Sequence, residues 1–142
     1  MAVGRLVGLD IGDVRIGVAV SDPLGIVATP KGVITRTNDT ADVEAVAEAV
    51  REANAVTVVA GLPLNQHGEV GPQAEKTLDF IEKLKAVIEV PIETIDERFT
   101  TLIAKSALAQ GNLKGKKRKG KVDQVAAQQI LQTYLDRRGN RA

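Results

Sequence analysis

The first third of the chain is written in short apolar bursts separated by turn residues. Leu6–Val7–Gly8–Leu9 with Ile11 is one burst, and Val14–Val20 (VRIGVAV) is the next. Only Gly12 and Asp13 separate them, which predicts two strands joined by a tight two-residue hairpin. In SDPLG (21–25), Pro23 fixes φ and Gly25 is free to take unusual dihedrals, so a second turn follows. A third strand is expected from about Ile26 to Ile34. Pro30 inside it removes a ladder donor and places that strand at a sheet edge.

Beyond residue 38 the period changes. Val43, Val46, Ala47 and Val50 recur at helical spacing in DTADVEAVAEAVREA, with Asp39 and Asp42 near the start, where the helix dipole favours anions. AVTVVAG (55–61) is nearly all apolar, as suits a strand covered on both faces. Leu78, Ile81, Leu84 and Ile88 mark a helix from about Gly71 to Glu89, and VPIETI (90–95) reads as a fifth strand. A short helix from about Thr100 to Gln110, a basic stretch, and a last helix from about Val122 to Arg137 complete the chain. A meander followed by alternating helices and strands predicts a single α/β domain over residues 1–142, a five-stranded mixed sheet with helices on both faces. Right-handed crossovers carry strands four and five outward from the first, giving the order 3-2-1-4-5 with strand 2 antiparallel.

A chain of 142 residues can bury one substantial core, and 44% hydrophobic with 26% charged residues is an ordinary soluble composition. The absence of cysteine excludes disulfides and thiolate metal sites, and a reducing cytoplasm is the simplest home. No leader-like segment opens the chain, and no apolar run approaches the ~20 residues of a membrane span, so no membrane partner is expected. The net charge of +1 hides an asymmetry: residues 1–110 carry −6 and residues 111–142 carry +7. Lys114, Lys116, Lys117, Arg118, Lys119 and Lys121 supply most of the excess. An acidic body with one basic arm points to a polyanionic partner such as nucleic acid.

The acids make this more specific. Asp10 interrupts a buried strand, and a buried charge without a partner costs several kcal/mol or more. The predicted topology puts it on the middle strand, near the carboxyl end, where open α/β sheets bind ligands. Strand five ends in TIDERFTT, so Asp96 or Glu97 reaches the same edge, and alternation alone leaves the choice between them open. In KVDQVAAQQILQTYL, Asp123 precedes Ala126, Ala127, Ile130, Leu131 and Tyr134 at i+3, i+4, i+7, i+8 and i+11, so it lies on the apolar stripe itself. Gathered carboxylates repel one another unless a hard cation such as Mg²⁺ or Mn²⁺ joins them. Such ions activate water and stabilise the leaving oxygen of a phosphodiester. His67, the only histidine, and Asn65 fall in the loop after strand four. Arg98 follows Glu97, and Thr100 and Thr101 suit a helix start.

LDIGDVRIGVAVSD, VAGLPLNQHGEVG (59–71), IDERFTT (95–101) and KVDQVAAQQIL (121–131) together resemble the YqgF/RuvX family over almost the whole chain. These are RNase H-like proteins described as Holliday junction resolvases and as nucleases that mature the 5′ end of the small-subunit ribosomal RNA precursor. The resemblance implies the RNase H-like fold, an acidic triad at Asp10, Glu97 and Asp123, and a metal-dependent nuclease acting on pre-16S rRNA. Two alternatives stand beside it: resolution of branched DNA, and a non-catalytic ribosome assembly factor that binds structured RNA. A homodimer is the one self-assembly left open. Aromatic residues make up 2% of the chain, too few for a base-stacking platform, so recognition is expected to run through backbone charge and shape.

Overall fold

The computed structural model describes residues 4–99 and 115–139, leaving aside the side chains of Phe99, residues 115–121 and Gly139. The elements are β1 (Leu6–Ile11), β2 (Arg15–Ser21), β3 (Ala28–Thr35), α1 (Asp39–Ala53), β4 (Thr57–Leu62), α2 (Pro72–Lys85) and β5 (Ile92–Asp96). A single 3₁₀ turn, Glu97–Phe99, and the long α3 (Gly115–Gly139) follow. The sheet order is β3-β2-β1-β4-β5, as the meander and crossovers predict. β2 runs antiparallel to β1 and β3, whereas β4 is parallel to both β1 and β5.

Strand alternation divides the core into two. Val7, Leu9, Ile11, Ile16 and Val18 meet Val43, Val46 and Val50 of α1 and Phe80, Ile81 and Leu84 of α2. On the other face Leu6, Ala19, Val59 and Ile95 meet Ala127, Ile130, Leu131 and Leu135 of α3. Each strand of the middle three is therefore dry on both sides, which accounts for its nearly unbroken apolar sequence.

Pro30 does lie on the edge strand. Val18 pairs with Gly32 and Ala19 with Pro30, so Lys31 is an extra residue bulged out of β3 beside the proline. Asn38 caps α1, its side chain accepting from the Ala41 amide at 2.8 Å, and Asn54 ends the helix in the left-handed region at φ 51°. Asp42 does more than complement the dipole: it is buried, and its carboxylate accepts from Arg36 Nε at 3.0 Å and from the Thr37 amide at 3.0 Å. The same guanidinium donates to the Gly12 carbonyl at 2.9 Å and sits 5.1 Å from the Phe80 ring centre. One arginine thus ties the β1–β2 hairpin, α1 and α2 together.

Three local expectations are corrected. Ile11 pairs with Ile16, and the Gly12 amide donates to the Arg15 carbonyl at 3.0 Å, so the two turn residues are Asp13 and Val14 rather than Gly12 and Asp13. Both keep negative φ, so the turn needs no glycine. Second, α3 begins at Gly115, and its first turns contain Lys116 to Lys121. Lysine and arginine are good helix formers, and charge alone does not set a helix boundary. Third, the α2 helix stops at Lys85 rather than near Glu89. The helix expected from Thr100 to Gln110, the capping threonines and Lys114 lie outside the described residues.

Candidate active site

Asp10 stands on the central strand, on the face that α3 covers. Its neighbour across β2 is Gly17, and on the β4 side Gly61 follows one residue beyond the Leu9–Ala60 pair. Both flanking glycines are required by close approach. A methyl group added at Gly17 would overlap the Asp123 carbonyl oxygen, and one at Gly61 would lie 3.3 Å from Glu97 Oε2 and 2.5 Å from Ile130 Cδ1. Gly8, two residues before Asp10, is equally crowded: a methyl there would meet Leu131 Cβ at 2.7 Å and the Ala127 carbonyl at 3.0 Å. These glycines form a furrow in which α3 lies against the sheet, bringing Asp123 down over β2 beside Asp10. Glu97, buried, comes down from the other side over β4.

Alternation along β5 explains why Glu97 rather than Asp96 arrives there. Ile95 faces α3, so Glu97 continues on that face, while Asp96 points to the other. Asp96 is instead gripped by Arg98, whose Nε and Nη2 donate to Oδ2 at 2.8 and 2.6 Å. That guanidinium holds the Asp96 carboxyl below its ordinary range.

Asp123 carries an interaction that the sequence did not announce. Arg15 Nε donates to Asp123 Oδ2 at 2.7 Å, joining β2 to α3 across the furrow. A signal was present: in VRIGVA, period-two alternation puts Arg15 on the same face as Gly17 and Ala19, the Asp10 face.

Residues 4–137 match the family model RuvX, described as Holliday junction resolvase. The chain belongs to the RuvX family. Among curated relatives, one from Natranaerobius thermophilus is 42% identical over 137 residues, covering 96% of this chain and 97% of its own. Another, from Clostridium acetobutylicum, is 46% identical over 132 residues, covering 93% and 98%. Both carry the name "Putative pre-16S rRNA nuclease". Among solved structures, Thermus thermophilus RuvC in complex with a Holliday junction substrate aligns with a TM-score of 0.59 at 13% identity, over 96% of each chain. Fowlpox virus resolvase with Holliday junction DNA aligns at 0.56 and 12% identity, over 94% of this chain and 97% of that one. At such identities the likeness is one of fold, and it makes the five-stranded sheet of this RuvX chain RNase H-like.

The RuvX site suits a divalent ion in one respect: its candidate ligands are hard carboxylate oxygens. It departs in another: no group of three His, Cys, Asp or Glu side chains among the described residues is gathered to hold one ion.

Around this RuvX site the loop after β4 is well organised. Asn65 Oδ1 accepts from the His67 and Glu69 amides at 2.9 and 3.0 Å, an Asx turn, and Gly68 takes φ +78°. Arg98 packs over Gly68 and donates to the Gln66 carbonyl at 3.5 Å, linking this loop to the end of β5. His67 itself is exposed. No helix among the described residues is long and apolar enough to cross a membrane.

Proposed function

We propose that this protein is a metal-dependent nuclease that hydrolyses phosphodiester bonds in the 5′ region of pre-16S rRNA, with Asp10, Glu97 and Asp123 as its acidic centre. The observation that carries the reading is the glycine furrow. Nothing in the sheet's stability calls for Gly17 and Gly61 beside an acid on the middle strand, since glycine weakens a strand interior. Their cost is explained if they admit Glu97 and the start of the buried part of α3 to Asp10. The names of the relatives that match almost end to end support RNA as the substrate.

In this reading Asp10, Glu97 and Asp123 hold Mg²⁺ or Mn²⁺, which when bound polarises the scissile phosphate and activates water. Asp10 is fixed by β1 pairing on both sides, and Glu97 by the 3₁₀ turn that closes β5. Lys114, Lys116, Lys117, Arg118, Lys119 and Lys121 run along the chain toward Asp123 and neutralise the phosphate backbone as it enters. A second reading, cleavage of branched DNA, is favoured by the fold shared with junction-bound resolvases.

The test is a cleavage assay with Mn²⁺ or Mg²⁺, in which wild type and Asp10→Asn meet precursor rRNA and a four-way DNA junction in parallel. Cutting of the RNA, abolished by chelator and by the variant, is expected. Cutting of the junction alone would favour the second reading. Equal activity of Asp10→Asn would remove the acidic centre, and failure to cut either substrate would leave a binding factor.

A further inference from the structure

The end of the sheet opposite Asp10, where β1 and β4 begin, carries an apolar prong and an apolar cavity. The prong is the β2–β3 turn, in which Leu24, Ile26 and Val27 are 69, 59 and 55% exposed. A tight hydrogen-bond set holds it in shape. Asp22 Oδ1 accepts from the Ile26 and Val27 amides at 2.7 and 2.8 Å, and the Gly25 amide donates to the Asp22 carbonyl at 3.0 Å. Gly25 closes the turn at φ +70°, and Gln132 of α3 donates to the Ile26 carbonyl at 2.9 Å. Three neighbouring apolar side chains on an ordered turn form a patch of the kind that marks an interaction surface, and docking them carries little ordering cost.

The cavity, about 440 Å³, lies between the last turn of α1 and the segment joining α2 to β5. Val50, Val87, Ile88 and Val90 line it, together with Arg51 and Glu89. Glu44 and Glu48 already neutralise Arg51, at 2.7 and 3.0 Å, whereas Glu89 makes no ion pair among the described residues. Beside the prong, Arg138 also lacks a carboxylate among the described residues: its Nη2 donates to the Gly25 carbonyl at 3.4 Å, and it lies 5.9 Å from the Tyr134 ring centre. One end of the molecule thus offers an apolar projection with a spare cation and an apolar hollow with a spare anion. We propose that a second copy of this chain covers this end, the prong of each copy entering the cavity of the other and Arg138 of each meeting Glu89 of the other.

The topology allows both contacts at once. β2 runs antiparallel to β1 and so ends where β1 begins, and the Val56 amide donates to the Arg5 carbonyl at 2.8 Å where β4 begins. Prong and cavity therefore share one end of the sheet, and a two-fold axis passing between them places each prong over the opposite cavity, the self-complementary arrangement of an isologous dimer. The carboxyl ends of the parallel strands, with Asp10, point away from the interface, so the dimer stands or falls independently of the acidic centre.

Sedimentation velocity over about 1–200 μM protein at fixed salt tests the interface, with wild type, Leu24→Ser, Arg138→Glu and the double variant Arg138→Glu/Glu89→Arg each checked for folding by circular dichroism. Wild type should pass from monomer to dimer within this range. Leu24→Ser, at a position the core does not use, should weaken dimerisation at least tenfold, because each dimer loses two buried leucines. Arg138→Glu should weaken it about tenfold, and the double variant should recover most of that loss, since the swap rebuilds both ion pairs. A chain monomeric at the highest concentration, assembly beyond two copies, a dimer indifferent to Leu24→Ser, or a double variant no tighter than Arg138→Glu would each overturn the proposal.

Discussion

The furrow makes a sharp prediction because it turns on one methyl group. In Gly17→Ala the new Cβ would overlap the Asp123 carbonyl oxygen, where approaches under 3.0 Å are essentially never seen. The clash is with helix backbone, so no side-chain rotation relieves it. The helix must lift by on the order of 1 Å, loosening Ala126, Ala127, Ile130 and Leu131 from the sheet. Overpacking of this kind costs about 1–3 kcal/mol, offset in part by the roughly 0.4–1 kcal/mol that Gly→Ala gains by restricting the unfolded chain. A net loss of about 1–2 kcal/mol corresponds to a fall in Tm of roughly 3–8 °C in a protein of this size. Gly32→Ala is the matched control: it lies in β3 with nothing within 4 Å of the added methyl and should melt at or slightly above wild type. Circular dichroism melts of the three proteins, metal-free and at one concentration, make the comparison. Displacement of Asp123 by this distance should also cut cleavage by up to about a hundredfold. If the two alanine variants melt alike, α3 does not lie in contact with Gly17 and the site geometry built on it is wrong.

Arg36→Leu should cost about 3–5 kcal/mol, because it strands the buried Asp42 carboxylate, which is 3% accessible, and releases the Gly12 carbonyl. Urea denaturation measures it, and a loss under about 1 kcal/mol would show that the clasp is not structural. Acid should destabilise the fold through carboxylates held low. The Val27 and Ile26 amides lower Asp22, Lys83 lowers Asp39, and Arg98 lowers Asp96, each from an ordinary 3.8. Their folded values lie below their unfolded ones, so the stability they add is complete above 3.8 and is lost as pH falls through the folded values. Melts recorded from about pH 5 downward should show this limb, flattened in Asp22→Asn; identical limbs would contradict it. RNA affinity measured against salt should fall with a log–log slope of up to roughly −4 to −5 if the whole basic run meets phosphates. Replacing Lys117 and Lys119 together by alanine should reduce that slope by about 1.5, and an unchanged slope would put the run elsewhere.

What the sequence disclosed, it disclosed through periodicity. Alternation and the αβαβ tail determined the sheet order, because a strand that slips by one residue exposes its whole apolar set. The same periodicity placed Asp123 on the stripe that includes Ala127, Ile130 and Leu131, and these three are indeed buried. Two kinds of information were not carried by periodicity. Turn register is one: Asp13–Val14 and Gly12–Asp13 both satisfy the pattern, and only the Gly12–Arg15 bond decides between them. Long-range pairing is the other. Arg15 and Asp123 are separated by 108 positions, and Arg36 reaches both Gly12 and Asp42. No local rule links such residues, although the glycines at 8, 17 and 61, each inside a strand, were signals of close backbone approach.

The site's parts differ in how firmly they are held, and that difference bears on how it works. Asp10 sits on a strand paired on both sides, and the hairpin after it is pinned by Arg36 at the Gly12 carbonyl and by Gln73 and Lys76 reaching Asp13 at 3.4 and 3.7 Å. Glu97 is buried in the turn that closes β5, next to Gly61. Asp123 has a backbone just as fixed, pressed on Gly17, but a carboxylate whose partner is an arginine on a separate strand. Changing that partner needs rotation about side-chain bonds only, on the fast timescale of rotamer motion, with the furrow and both other acids left in place. The fold fixes Asp10 and Glu97 through the backbone and leaves the Asp123 carboxylate to a side-chain ion pair.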